Sequence, residues 1–318
     1  APSVFRQLDA GDIYYNADPS SGVLKYTGYG TGTWASSDNM NTARGFGAGG
    51  GPNSNFIYAA GFTSPPSTAH NQVETYDGSS WTEVTEVNTA RYYIGHAGNT
   101  AAMWIATGSP GANDEVETWN GSSWTEASET NEAKFKVSSA GTATAGIIMS
   151  GIVSAPPRTN NVELWDGSSW SETVNVNTQR SDMAGFGTQT SAIIDGGEHS
   201  GTAPLAAVES WDGTSWTEVT ERNSARYSAG GFGSSNADGI VFGGGDPAAF
   251  RVAVEQWNGS SWTEVAELGT PRYANCQHSS MNTASGKAAG GLQYPAYTNA
   301  TEDWELPESL KTLASTNA

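Results

Sequence analysis

Cysteine is almost absent: Cys276 is the only one in 318 residues. One thiol excludes an internal disulfide framework and a multi-cysteine metal site. Positive charge is also scarce, with 14 Lys and Arg against 33 Asp and Glu and a net charge of -19, which leaves no basic surface for nucleic acid. Histidine occurs only at His70, His96, His199 and His278. Long apolar runs and helical periodicity are missing, so no membrane-spanning segment and no amphipathic helix is expected. Ala1 does not open a recognisable signal peptide, which leaves removal of Met alone or earlier cleavage of a signal.

What the chain has is repetition. VESWDGTSWTEV at 208 to 219 returns as VETYDGSSWTEV at 73, VETWNGSSWTEA at 116, VELWDGSSWSET at 162 and VEQWNGSSWTEV at 254. Looser copies stand at 22 to 36 and 301 to 306. Each copy is a β-prone run, an Asp-Gly or Asn-Gly pair that accepts positive φ, and a second β-prone run beginning with Trp: a β-hairpin. Its first aromatics, Tyr26, Tyr76, Trp119, Trp165, Trp211, Trp257 and Trp304, are 43 to 50 residues apart. That period implies propeller blades or another repeat array, because one hairpin cannot bury its faces without stacked neighbours. Eleven of the twelve tryptophans belong to the pattern, Trp104 being the exception, so they are read as packing between blades and not as a ligand cage.

The expected fold is an all-β propeller of four-stranded antiparallel blades, one domain over residues 1–318. Residues 1–40 form a divergent first blade, 41–306 six clear repeats, and 307–318 a terminal strand or tail. In the first blade, Val4 to Leu8 and Asp12 to Tyr15 are expected as strands. With 309 to 315 as outer strand of the last repeat there are seven blades of about 46 residues. In the alternative, the Trp34 strand completes the last repeat and there are six. Small-residue strands such as 227 to 233 are placed innermost, and the glycine pairs near 196, 243 and 290 are assigned to close packing.

Charge recurs with the same period. Glu74, Glu117, Glu163, Glu209, Glu255 and Glu302 hold one position, and Glu83, Glu126, Glu172, Glu218 and Glu264 another. Both series are expected to form a solvated acidic rim. Arg44, Arg91, Lys134, Arg180, Arg226 and Arg272 share a third position. A recurring Arg beside a recurring Glu reads as a structural ion pair or loop clamp, ahead of an anion-binding crown.

The glycine pair, the following aromatic and the later Trp resemble kelch-type propeller repeats over nearly the whole chain. The wording WNGSSWTEV followed by NTAR resembles repeat proteins of tailed, especially aquatic, bacteriophages, and GDIYYNADPSSGVLKYTG at 11 to 28 is similar to a β-element of phage tail and fibre proteins. Only four residues separate the paired aromatics, unlike common kelch proteins, so cellular kelch functions do not carry over.

Enzyme readings are weaker than their structural counterparts. Cys276 and His278 lie on one side of an expected inner strand, which suggests a kelch-type copper oxidase; four histidines in the chain favour an inert core thiol. WDGTSW looks like a shortened sialidase turn, yet Asp77, Asp166 and Asp212 alternate with Asn120 and Asn258 at that place, and turn formation explains both residues. No recurring Gly-His partner supports a WD40 reading. The sequons at Asn120, Asn258 and Asn299 are expected to stay bare in a phage or bacterial product.

Binding is expected in the variable loops, which share one face with the Arg-bearing linkers. Loop 62–72 carries Phe62 and His70, 109–115 Asn113 and Asp114, and 152–161 Arg158. Loop 198–207 carries His199, 246–253 Phe250 and Arg251, and 292–300 Tyr294 and Tyr297. The expectation is a non-enzymatic virion or extracellular protein without cofactor. Its partners are a host-surface glycan, other virion or filament proteins, or further copies of itself. An architectural subunit without a ligand is the alternative, and a copper oxidase or glycan-active enzyme the third reading.

Overall fold

A computed structural model describes residues 32–154, 158–199, 203–273 and 283–306 in full, and 13–15, 24–29, 277–278 and 308–313 as backbone strands. Strands β1 (Ile13–Tyr15) and β2 (Leu24–Tyr29) lie near the start, followed by β3 (Thr33–Ser37). The first blade is β4 (Ala48–Gly50), β5 (Phe56–Thr63), β6 (Thr68–Tyr76) and β7 (Trp81–Val84). The second is β8 (Gly95–Gly98), β9 (Met103–Ala106), β10 (Val116–Trp119) and β11 (Trp124–Glu126). The third is β12 (Ser138–Thr142), β13 (Ala145–Ile152), β14 (Arg158–Trp165) and β15 (Trp170–Glu172). The fourth is β16 (Ala184–Thr188), β17 (Ser191–Asp195), β18 (Val208–Trp211) and β19 (Trp216–Val219). The fifth is β20 (Gly230–Ser235), β21 (Asp238–Phe242), β22 (Val254–Trp257) and β23 (Trp262–Glu264).

The sixth blade is built from both ends of the chain. After β24 (Gln277–His278) come β25 (Ser285–Ala289), a small hairpin of β26 (Leu292–Gln293) and β27 (Ala296–Tyr297), and β28 (Thr301–Glu305). The third-position strand β28 pairs antiparallel with β25 on one side and β3 on the other, in the register Trp304↔Trp34. Strand β24 stands where the innermost strand belongs in chain order and pairs in parallel with β4. Inner strands of neighbouring blades run the same way, so a parallel contact is what adjacent first strands produce.

The described residues therefore form six blades, not seven. Residues 1–40 do not make a blade of their own, since β3 fills the outer place of the sixth. Nor does the segment 309 to 315 supply that place: β29 (Glu308–Leu313) pairs with β2, and β1, β2 and β29 make a separate three-stranded sheet. The expected strand at 4 to 8 lies outside the described residues.

Two sequence features build each blade. In the hairpin turn, Asp212 Oδ1 accepts the N–H groups of Thr214 and Ser215, both at 2.8 Å, and Gly213 takes φ near +94°. Asn120 and Asn258 accept the same bonds at 2.9 to 3.0 Å, so either side chain makes the turn. The paired aromatics then meet across the hairpin, with ring centroids 5.2 to 5.4 Å apart for Tyr76/Trp81, Trp119/Trp124, Trp165/Trp170, Trp211/Trp216 and Trp257/Trp262.

The core lies between blades. Met103, Ile105, Trp119 and Trp124 of the second blade pack on Ile57, Ala59 and Val73 of the first, and Trp104 meets Trp170 of the next blade edge to face at 5.1 Å. Three second-position tryptophans also donate their indole N–H to the preceding blade, Trp124 to Thr85 O, Trp216 to Val174 O and Trp262 to Thr220 O, while the indole nitrogen of Trp170 is buried without a partner among the described residues. Trp81 donates to Asp38 O, one residue beyond β3. The closing seam thus repeats the bond found between consecutive blades.

Candidate functional site

The repeated cation comes first, because it fixes the face on which the loops stand. Arg180 is buried and donates to Glu209 Oε1 at 2.5 Å and to the Ala207 carbonyl at 2.7 Å. The Glu209 carboxylate also accepts the N–H groups of Asn177 at 2.7 Å and Thr178 at 3.1 Å. The same pair recurs as Arg44–Glu74, Arg91–Glu117, Lys134–Glu163, Arg226–Glu255 and Arg272–Glu302. The first glutamate series is therefore no solvated rim: all six are buried, while Glu83, Glu126, Glu172, Glu218 and Glu264 are exposed. A buried carboxylate is tolerated because the cation and the linker N–H groups satisfy it. Burial pushes the Lys134 ammonium below its usual range, opposed by Glu163. The clamp pins each linker to its own blade.

Next to the clamp, the backbone closes a ring. Gly61, Gly108, Gly151, Gly197, Gly244 and Gly291 each donate an N–H at 2.9 to 3.1 Å to the carbonyl of the next repeated cation, the last returning to Arg44. A Cβ at Gly197 would lie 2.5 Å from Ser181 O and at Gly244 2.8 Å from Tyr227 O, so close approach explains these glycines.

Two residues after each cation the chain turns over the axis. Phe46, Tyr93, Lys136, Asp182 and Ser228 all hold positive φ, between 51° and 58°. Each of the last four donates its N–H to the carbonyl of the one before, at 2.7 to 3.2 Å. Left-handed conformation in five non-glycine residues costs on the order of 1 kcal/mol or more each. The run of four hydrogen bonds offsets that cost and holds five different side chains around one small cavity of about 40 Å³. There Lys136 Nζ pairs with Asp182 at 2.7 Å and sits 4.9 Å from the Tyr93 ring centroid. Burial pushes the Asp182 carboxyl up, and Lys136 opposes it.

Around this axis lies an aromatic floor. Ring contacts run from Phe62 to Tyr92 (4.5 Å), Tyr93 (5.1 Å), Phe46 (4.1 Å), Tyr273 (5.9 Å) and Phe250 (5.3 Å). Tyr297 touches both Phe46 and Phe62, at 6.4 and 5.9 Å. These rings are half-buried, with one surface anchored and another open. Burial raises the phenols of Tyr93 and Tyr273, and that of Tyr297 to about 12. They remain protonated hydrogen-bond donors through the neutral range.

The ten expected loop residues divide into groups. Phe62 and Tyr297 join the floor. Phe250 stacks on Tyr273 at 20°, Arg251 pairs with Asp246, and Tyr294 is exposed beside them. Arg158 bridges two blades, to Glu198 at 2.5 Å and Ser181 Oγ at 3.0 Å; nearby in sequence, His199 Nδ1 lies 2.8 Å from Gln179 O. His70 is a strand residue: β5 and β6 extend to Thr63 and Thr68, and its ring meets Thr63 Oγ1 at 2.9 Å and Gln72 Oε1 at 2.7 Å. Burial lowers its pKa. Asn113 contributes its backbone to a bridge with Lys134, and Asp114 its carbonyl to Thr130. Cys276 and the side chain of His278 lie outside the described residues.

Sequence reasoning missed Phe46, Tyr92, Tyr93, Phe135, Tyr227 and Tyr273 as well as Lys136 and Asp182. A signal was present: in five of six units an aromatic occupies one of the two positions after the repeated cation.

No protein-family model matches the sequence, and no curated protein matches it. The fold is similar to that of the solved structure of YjhT, with a TM-score of 0.69 at 14% identity over 83% of this chain and 95% of that one. In all, 280 chains of solved structures match, a breadth that belongs to a widely shared scaffold and not to one activity.

Proposed function

We propose that this protein is a non-enzymatic binding propeller of a phage virion or a similar extracellular assembly, and that its loop-bearing face contacts a saccharide on a host surface. The observation that carries this reading is the floor of half-buried rings from Phe62 to Phe250. Rings held by neighbours present a rigid surface at low entropic cost, and aromatic faces stack on the C–H faces of sugar rings while phenols bond hydroxyls. The resemblance of WNGSSWTEV and NTAR to phage repeat proteins, and of 11 to 28 to fibre elements, supports the setting. Contacts through one face are individually weak and gain strength when many copies are displayed.

The test is binding of fluorescently labelled protein to a panel of intact aquatic bacteria, before and after periodate oxidation of their surface sugars. Saturable binding lost on oxidation is the expected result. Absence of binding to every cell type, with self-association or docking on particles retained, would overturn the reading in favour of an architectural subunit.

A further inference from the structure

We infer that the cleft flanking Tyr294, between the loops of the fifth and sixth blades, seats a neutral saccharide chain gripped along its length. This rests on the saccharide reading above and gives it a location and a ligand class.

Tyr294 is 86% exposed, and the only other exposed large hydrophobic residue among those described is Val174 at 52%. It sits at the tip of the β26–β27 hairpin, where Gln293↔Ala296 pairing leaves Tyr294 and Pro295 as the turn. A groove of about 400 Å³ on one side is bounded by Phe250, Thr270, Pro271 and Gln293. A second, of about 330 Å³, runs on the other side along 246–250. Both include Phe250 and Tyr294 in their walls, and both are open to solvent. Each volume falls in the range of about 300–1,000 Å³ typical of small-molecule sites. Two adjoining open grooves with shared aromatic walls fit consecutive residues of a chain; a blind pocket would select its end.

The walls are held before any ligand arrives. Phe250 stacks on Tyr273 at 5.3 Å, and Asp246 accepts the N–H groups of Ala248 at 2.8 Å and Ala249 at 3.1 Å. Gln293 Nε2 donates to Thr270 Oγ1 at 2.9 Å. These groups supply polar contacts for sugar hydroxyls beside the two rings.

Charge decides the class. Neither groove is lined by Lys or Arg, the nearby Arg251 is paired with Asp246, and the chain carries a net charge of -19. An acidic saccharide meets repulsion and no cation, whereas a neutral one loses nothing. The axial cavity is a poor competitor: at about 40 Å³ it holds water-sized groups, and its Lys136 and Asp182 are paired to each other.

The test is calorimetric titration of the whole protein with neutral glucan, galactan and mannan oligosaccharides and with alginate oligosaccharides as the acidic probe. At least one neutral tetrasaccharide is expected to bind, with Kd raised tenfold or more by Tyr294→Ala and by Phe250→Leu. Val174→Ala, at the other exposed large hydrophobic residue and in neither groove's wall, is expected to change Kd less than twofold. Preference for alginate, or unchanged affinity in Tyr294→Ala with an unaltered melting temperature, overturns the inference. Periodate-sensitive cell binding that survives in Tyr294→Ala also overturns the cleft while leaving the saccharide function standing. Loss of all periodate-sensitive binding in the native protein overturns both.

Discussion

Trp34 and Trp304 lie 5.5 Å apart between ring centroids and face each other in register across β3 and β28. Five other aromatic pairs in the chain have this relation inside a local hairpin, with four residues between the partners. Here 269 residues lie between them. The sixth hairpin is therefore a hairpin without its turn.

That arrangement predicts a circular permutation. A chain starting at Asn39, running through Leu306 and continuing by Asn-Gly-Ser-Ser into residues 33–38 should fold with the native circular dichroism spectrum. Its melting temperature should match or exceed that of the native chain, since a local turn lowers the entropy of closing the hairpin. Trp34→Ala in the native chain should cost about 3 kcal/mol in urea unfolding, because the ring also packs on Phe242 at 5.2 Å. A permutant that fails to fold while the native chain is stable would contradict this closure.

The clamp at Arg180 and Glu209 has a distinct mutational signature. Glu209→Leu alone should cost about 3–5 kcal/mol, as removal of one partner leaves the other charge buried. Adding Arg180→Met should recover only part of it, because the Asn177 and Thr178 N–H groups still lack their acceptor, at about 1–3 kcal/mol each. Full recovery in the double variant, measured by a double-mutant cycle in urea, would show that the linker bonds carry no weight.

The closing seam has a side chain found in no other blade. Ile57, Trp104, Ile147, Ile193 and Ile240 occupy one register position, and Lys287 takes it in the sixth. Its ammonium pairs with Asp303, bonds Ser37 Oγ at 3.1 Å and stands 3.9 Å from the Tyr76 ring centroid of the first blade. Lys287→Ile with Asp303→Ser, which restores the residue types of the fourth blade, should be neutral or stabilising by about 1–4 kcal/mol. A melting temperature below that of the native protein would mean that the polar seam contributes net stability.

Acid stability should depend on the turn aspartates. Hydroxyl and backbone N–H bonds hold Asp166 and Asp212 at about 2, below their ordinary 3.8. A depressed carboxyl contributes stability that is present above the unfolded value and lost as pH falls through the folded one. The loss therefore lies between about pH 4 and pH 2. With Asp166→Asn and Asp212→Asn, melting temperature should fall less steeply across that window and be nearly unchanged at pH 6. Parallel slopes in variant and native protein would refute the assignment.

The architecture was legible where it is local. The turn pair, the two aromatics and the period announced each hairpin, and small residues announced the inner strands. Blade number was legible only as two alternatives, seven or six with the Trp34 strand closing the last repeat, because Trp34 pairs with a strand at the other end of the chain and local pattern admits either closure. The burial of Glu74, Glu117, Glu163, Glu209, Glu255 and Glu302 was also hidden: a recurring carboxylate looks the same in sequence whether water or arginine satisfies it. Its near-constant distance of 26 to 30 residues from the repeated cation was the available clue. At the candidate site, Phe250, Arg251 and Tyr294 could be placed on variable loops. Phe46, Tyr93, Lys136 and Asp182 could not, since only left-handed backbone at those positions turns them over the axis.

Building the sixth blade from both ends also sets a clock on synthesis. When Trp34 leaves the site of peptide-bond formation, Trp304 is still 270 residues away, roughly 14–54 s at about 5–20 residues per second. Throughout that interval β3 has no partner, and the growing blades form an open arc whose end faces stay uncovered. Closure waits for β28, and it is a long-range contact of the kind that slows folding. The nascent chain spends that time with apolar edges exposed, the condition under which a partly made domain is prone to aggregate.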